Sequence, residues 1–212
     1  MKNNIIKEFE IFLNIVRHSN HMFRQYCLLY ENNKQRLSLL EEIAYHFFYD
    51  VQCMWIECVF LGMCKLTDRA KQFKNKNMTI DYWVKALDKE LTGPEKEKIE
   101  ASITICIEKR DKVIKARDKV IAHIDYEVAI GKNALGKIEK KEIEKFYSNI
   151  EIILDILSSK LGRGAAPLRF AAQKDADDLI ESLKKTIHYD HIFESTTKKA
   201  WEECKKWKYK DA

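Results

Sequence analysis

Only two prolines and six glycines interrupt the 212 residues, so long helices meet few breakers and a sheet would lack the turn residues it needs. That scarcity favours an all-α fold before any periodicity is read. The six cysteines, Cys27, Cys53, Cys58, Cys64, Cys106 and Cys204, include no CxxC pair. With no secretory signal ahead of them, reduced core thiols are expected rather than a disulfide framework or a zinc site. The opening MKNNIIKEFEIFLNIV has no continuous apolar core and no small-residue cleavage site, which argues against export and for a cytoplasmic chain. The most apolar run, CMWIECVFLGMCKL, carries Glu57 at its middle and falls short of the roughly 20 residues that span a bilayer. A buried helix and no membrane partner are the expectation. A carboxylate cluster of the kind a two-metal nuclease uses is also missing: DADD at 175–178 lies far in sequence from the arginine–histidine motif described below and reads as the solvated start of a helix. The HxxH spacings His18/His21 and His188/His191 are weak ligand pairs, and neither a metal nor a cofactor is expected.

What is present is enough apolar material for one ordinary core, 46% hydrophobic against 33% charged residues. One domain is expected over 1–212, with a main bundle at 1–166 and a helical C-terminal extension at 167–212. A net charge of +5 suits an anionic partner such as RNA, although 38 basic against 33 acidic residues is a mild bias.

Ile5, Phe9, Phe12, Leu13, Val16, Phe23 and Cys27 recur at three and four residues, which predicts a first helix over about 4–30. Leu40, Ile43, Ala44, Phe47, Phe48, Val51, Met54, Trp55, Cys58 and Gly62 predict a second, central helix over about 37–66. TDRAKQFKNKNMT has no apolar period and reads as a basic loop, either solvated or touching an anionic ligand. Thr79 is placed to cap a short helix, and Pro94 to open a third long one, since a proline in the first turn sacrifices no hydrogen bond. Ile143, Phe146, Tyr147, Ile150, Leu154, Leu157 and Leu161 predict a fourth long helix closed by LGRG, and residues 172–193 one more. The simplest assembly is a bundle of four long helices plus short and C-terminal helical segments. In the tail, Lys205, Lys206, Lys208 and Lys210 interleave with Trp201, Trp207 and Tyr209. These residues either stack on single-stranded nucleic acid or dock a final helix through Ala200, Cys204 and Trp207.

The strongest local signal is a tandem heptad in the third helix, RDKVIKA at 110–116 and RDKVIAH at 117–123. At 100° per residue, Ile103, Cys106, Ile107, Val113, Ile114, Val120, Ile121 and Ile124 share one arc that also contains Arg110 and Arg117. A permanent charge on an apolar stripe must be paired or reach water. One solution is an ion pair with Asp50 and Glu57, which have the same seven-residue spacing on the second helix; that would make the chain a helical adaptor. The other is a cleft or subunit interface in which the arginines hold phosphate. An arginine followed at four to six residues by a histidine is common by chance, but requiring Asp or Asn directly after the arginine leaves one match, Arg117, Asp118 and His123. On an unbroken helix Arg117 and His123 point about 120° apart and about 9 Å along the axis. Convergence therefore needs a helix end, the reach of the arginine, or a second subunit.

RDKVIAHID resembles the R-(N/D)-x-x-x-x-H signature of HEPN (higher eukaryotes and prokaryotes nucleotide-binding) domains, and CKLTDRAKQFKNKNMTIDYWVKAL resembles the segment that precedes it in the abortive-infection branch. The resemblance implies an α-helical bundle, a homodimer through the motif-bearing helices, and metal-independent RNA cleavage in a shared cleft. Carried onto this chain, it makes His123 the acid or base, Arg117 the stabiliser of the phosphorane and Asp118 their orienter. Arg110, Asp125 and Tyr126 would support them, with Asp125 either holding the imidazole or capping a turn. Lys112, Lys119, Lys71, Lys74 and Lys76 are the RNA-binding candidates. A growth-arrest or antiphage toxin of this kind admits an antitoxin or companion defence protein. HEPN toxins silenced by a partner nucleotidyltransferase carry tyrosine two residues after the histidine; here Asp125 stands there and Tyr126 follows, which argues against silencing by tyrosine modification. A non-catalytic HEPN module that binds RNA or protein is the closest rival.

Overall fold

The apolar stripe of the N-terminal segment forms helix α1, Lys2–Tyr26, and buries Phe9, Phe12, Leu13, Val16 and Phe23. The chain then widens into a π-helical turn, Cys27–Glu31, before the Asn33 side chain accepts from the amides of Gln35 and Arg36 and starts α2, Lys34–Thr67. A computed structural model describes residues 2–31, 33–72, 74–118, 138–168 and 172–194. Thr79 caps α3, Ile80–Ala86, by accepting from the Tyr82 amide, as its sequence position predicts. A capping pair opens α4, Gly93–Ala116: Glu95 accepts from the Thr92 amide at 2.8 Å while Pro94 occupies the first turn. Helix α5, Lys140–Lys160, ends where Gly162 takes φ of 73°, a conformation that costs a glycine little. Helix α6 covers Ala172–Glu194. Among the described residues six helices thus stand beside one small hairpin, and the fold is all-α.

The main core joins α1, the C-terminal part of α2, α3, α4 and α5. Trp83 of α3 is its wedge, edge-on to Phe9 at 5.0 Å and tilted against Phe12 at 6.0 Å. From α5 come Phe146, Tyr147, Ile150, Ile153, Leu154 and Leu157, the spacing expected for that helix. A second, smaller core sets Leu29, Tyr30, Leu40 and Phe48 against Ala176 and Ile180 of α6. There Arg36 Nη2 pairs with Asp177 Oδ1 at 2.5 Å, so the acidic DADD segment is only partly solvated: Asp175 and Asp178 are exposed, whereas Asp177 ties α6 to α2.

Three expectations need correction. The basic loop after α2 contains an antiparallel hairpin, β1 (Lys71–Gln72) paired with β2 (Asn75–Lys76). Strands of two exposed residues bury no side-chain face, so they leave no alternation to read. Second, α2 is not a uniformly buried central helix. Leu40, Phe48, Val59, Met63, Cys64 and Leu66 are buried, but Tyr45, Phe47, Tyr49 and Met54 are half or more exposed, because the neighbouring helices cover only one side. Third, α2 breaks at Ala44 (φ −160°, ψ 70°) with no proline or glycine at the break to announce it. At 34 residues α2 is long and apolar enough to cross a membrane, and in its C-terminal third Val59, Met63, Cys64 and Leu66 are buried in the core.

Candidate functional site

Two adjacent stripes run along α4. Ile99, Ser102, Cys106, Lys109, Val113 and Ala116 are buried. Beside them Ile103, Ile107, Arg110, Ile114 and Arg117, at steps of four and three, are only partly covered. Both motif arginines therefore border the core rather than sit inside it, at 20% and 26% side-chain exposure.

Their partners are local. Arg110 donates through Nε and Nη2 to Asp111 Oδ1 at 3.0 and 2.6 Å. Arg117 Nε lies 2.7 Å from Asp118 Oδ1, but its N–H misses the carboxylate, so Nε is buried without an aligned hydrogen bond. Asp50 and Glu57 are exposed and, among the described residues, pair with neither arginine. The pairing with Asp50 and Glu57 is therefore not made: each arginine instead turns to the aspartate that directly follows it in its heptad, Arg110 to Asp111 and Arg117 to Asp118. Both arginines lie near Cys64 at the C-terminal end of α2; burial pushes that thiol up to about 11, and the arginines pull it back only in part.

At Arg117, the C-cap of α4, the backbone stays right-handed (φ −57°, ψ −51°) and its amide is shared between the carbonyls of Val113 and Ile114, while residues 117–118 begin to depart from α toward π geometry. The 120° angle to His123 assumes ideal α geometry, which ends here. His123, Asp125, Tyr126 and Lys119 lie outside the described residues, as does the lysine- and tryptophan-bearing tail.

The lysine candidates separate. Lys112 faces α5, where its Nζ pairs with Glu142 Oε1. Buried Lys109 shares that carboxylate at 3.3 Å and reaches Glu108 at 2.7 Å. Hydrogen bonding to Lys112 first, then to the Glu139 amide, holds the Glu142 carboxyl down at about 2. This is a latch between α4 and α5. Lys74 and Lys76 are exposed on the hairpin. Lys71 lines a cleft of about 610 Å³ bounded by the end of α2, the hairpin, α3 and α4, and Arg110 lines it from α4. Arg69 and Lys85 also line it; no periodicity marks them, and the only signal for Arg69 was the basic composition of its segment.

The arginine and aspartate of the signature thus sit together on a half-covered helix face at the edge of an all-α core. The profile of the HEPN family AbiU2 matches residues 3–182. The chain belongs to this abortive-infection HEPN family. No curated protein and no solved structure matches it. The HEPN match takes in all five helices from α1 to α5 and the first half of α6.

Proposed function

We propose that this HEPN domain is a metal-independent endoribonuclease working as a homodimer in the cytoplasm, in a growth-arrest or antiphage role. The observation that carries the reading is the state of Arg117: partly exposed at the end of α4, with an exposed and poorly aligned Asp118 as its one carboxylate partner among the described residues. A guanidinium so placed keeps donors for a phosphate, which it grips in bidentate fashion. The apolar residues left uncovered on α4 and α2, Ile107, Phe47 and Met54 among them, support burial against a second copy, which would bring two arginine–histidine pairs to one cleft.

In this mechanism one His123 takes the proton of a ribose 2′-hydroxyl, whose oxygen attacks the adjacent phosphorus. Arg117 binds the charged phosphorane, and the partner's His123 donates a proton to the departing 5′-oxygen as the P–O5′ bond breaks. The products are a 2′,3′-cyclic phosphate and a 5′-hydroxyl. The test is incubation of wild type and His123→Ala with total RNA in EDTA. Wild type should cleave and leave cyclic ends, and His123→Ala should bind without cleaving. A magnesium requirement, 3′-hydroxyl ends, or cleavage persisting in His123→Ala would each sink the mechanism.

A further inference from the structure

We propose that the cleft between the hairpin and α4 holds a nucleotide unit of the RNA strand next to the cleaved bond; this rests on the ribonuclease reading above. At about 610 Å³ the cleft is of the size that small ligands occupy. Its chemistry suits a nucleotide. Ile103 and Ile107 give an apolar surface for a base, and the lining carries four cations (Arg69, Lys71, Lys85, Arg110) against two carboxylates (Asp68, Asp81), with Arg110 also paired to Asp111 beyond the lining.

One of those carboxylates is already occupied. Asp81 accepts from Lys85 Nζ at 2.8 Å and from the Ala70 amide at 2.9 Å. Burial alone would raise its carboxyl, but these bonds prevail and hold it below the usual range. It therefore stays charged and keeps Lys85 and the hairpin base in place. Arg69 and Lys71 enter no ion pair among the described residues and remain available for phosphate. Arg110 connects the cleft to the reaction: it lies seven residues before Arg117 on the same stripe, two helical turns or roughly 10 Å away. A strand held at Arg110, Arg69 and Lys71 is thereby led past Arg117, and the hairpin becomes part of the substrate path rather than a solvated connection.

The test is fluorescence anisotropy with a labelled 2′-O-methyl RNA octamer, which lacks the attacking hydroxyl and stays intact. Arg69→Ala/Lys71→Ala is compared with Lys141→Ala/Lys145→Ala, an equal charge loss at exposed α5 positions. The cleft pair should weaken binding about tenfold and reduce the slope of log K against log salt by about 1.4, two phosphate contacts on a single strand. The α5 pair should leave that slope nearly unchanged. Equal losses from both pairs, or none from the cleft pair, would overturn the proposal. Complete displacement of the octamer by an equal concentration of adenosine 5′-monophosphate would do so too, since the cleft would then be a site for free nucleotide. If the intact protein cleaves RNA while the cleft pair binds normally, only the cleft assignment fails. If it cleaves no RNA, the ribonuclease reading itself fails.

Discussion

At Gly62 α2 passes close to Ser19 of α1, and replacement by alanine tests how tight that crossing is. A Cβ on residue 62 would sit 2.1 Å from Ser19 Oγ and 3.2 Å from Ser19 Cβ. The hydroxyl cannot simply turn away, because it shares a buried 2.7 Å hydrogen bond with the Tyr147 phenol. Either the helices separate, at about 1–3 kcal/mol for overpacking, or the bond breaks and leaves a buried hydroxyl unpaired, at about 1–3 kcal/mol. The gain in helix propensity on replacing glycine offsets roughly 0.5–1 kcal/mol. Gly62→Ala should therefore destabilise by about 1–2 kcal/mol, which lowers Tm by roughly 2–8 °C for a chain of this length. The decisive measurement is a cycle with Ser19→Ala, followed by thermal or urea unfolding. Ser19→Ala alone should cost about 1–3 kcal/mol, because Tyr147 loses its partner. In the double variant the closest obstacle, Ser19 Oγ, is gone, so the second substitution should add little or nothing to the first. Additive losses, or a Gly62→Ala protein as stable as wild type, would refute the close approach.

Arg117→Ala should lower RNA cleavage by roughly 10²–10³-fold. Because its partner Asp118 is 56% exposed, unfolding free energy should move by less than about 1 kcal/mol; a parallel collapse in melting temperature would recast the arginine as structural. Glu142→Gln should lower Tm at neutral pH. The folded carboxyl is held at about 2, below its unfolded value, so the latch contributes fully above the unfolded value and is lost as pH falls toward 2. Acid titration of stability should be shallower in the variant, and identical curves would contradict the latch. Light scattering at micromolar concentration should report twice the 25.1 kDa chain mass, and Ile114→Glu, on the half-covered stripe of α4, should yield monomer. A monomeric wild type would remove the composite-site mechanism.

Much of the architecture was legible in the sequence because it is encoded locally. With so few prolines and glycines, and with Phe9, Phe12, Leu13 and Val16 or Phe146, Ile150, Leu154 and Leu157 at helical spacing, α1 and α5 follow from periodicity and bury the residues it names. Thr79, Pro94 and Gly162 mark helix ends because capping and left-handed turns are matters of a few adjacent atoms. The signature pair Arg117 and Asp118 was likewise visible as a pattern. Tertiary structure alone decided whether an apolar face finds a neighbour: Phe48 is buried while Phe47, Tyr49 and Met54 are exposed, on a helix whose sequence is apolar nearly all round. It also decided where charges go. Lys109 and Lys112 meet Glu142, some thirty residues on, whereas Arg110 keeps Asp111 and leaves Asp50 and Glu57 in water. Periodicity specifies the direction of a side chain from its own helix axis. What waits in that direction is set by how the helices pack, and the cleft joining Arg69, Lys71 and Arg110 exists only once α2, the hairpin and α4 have met.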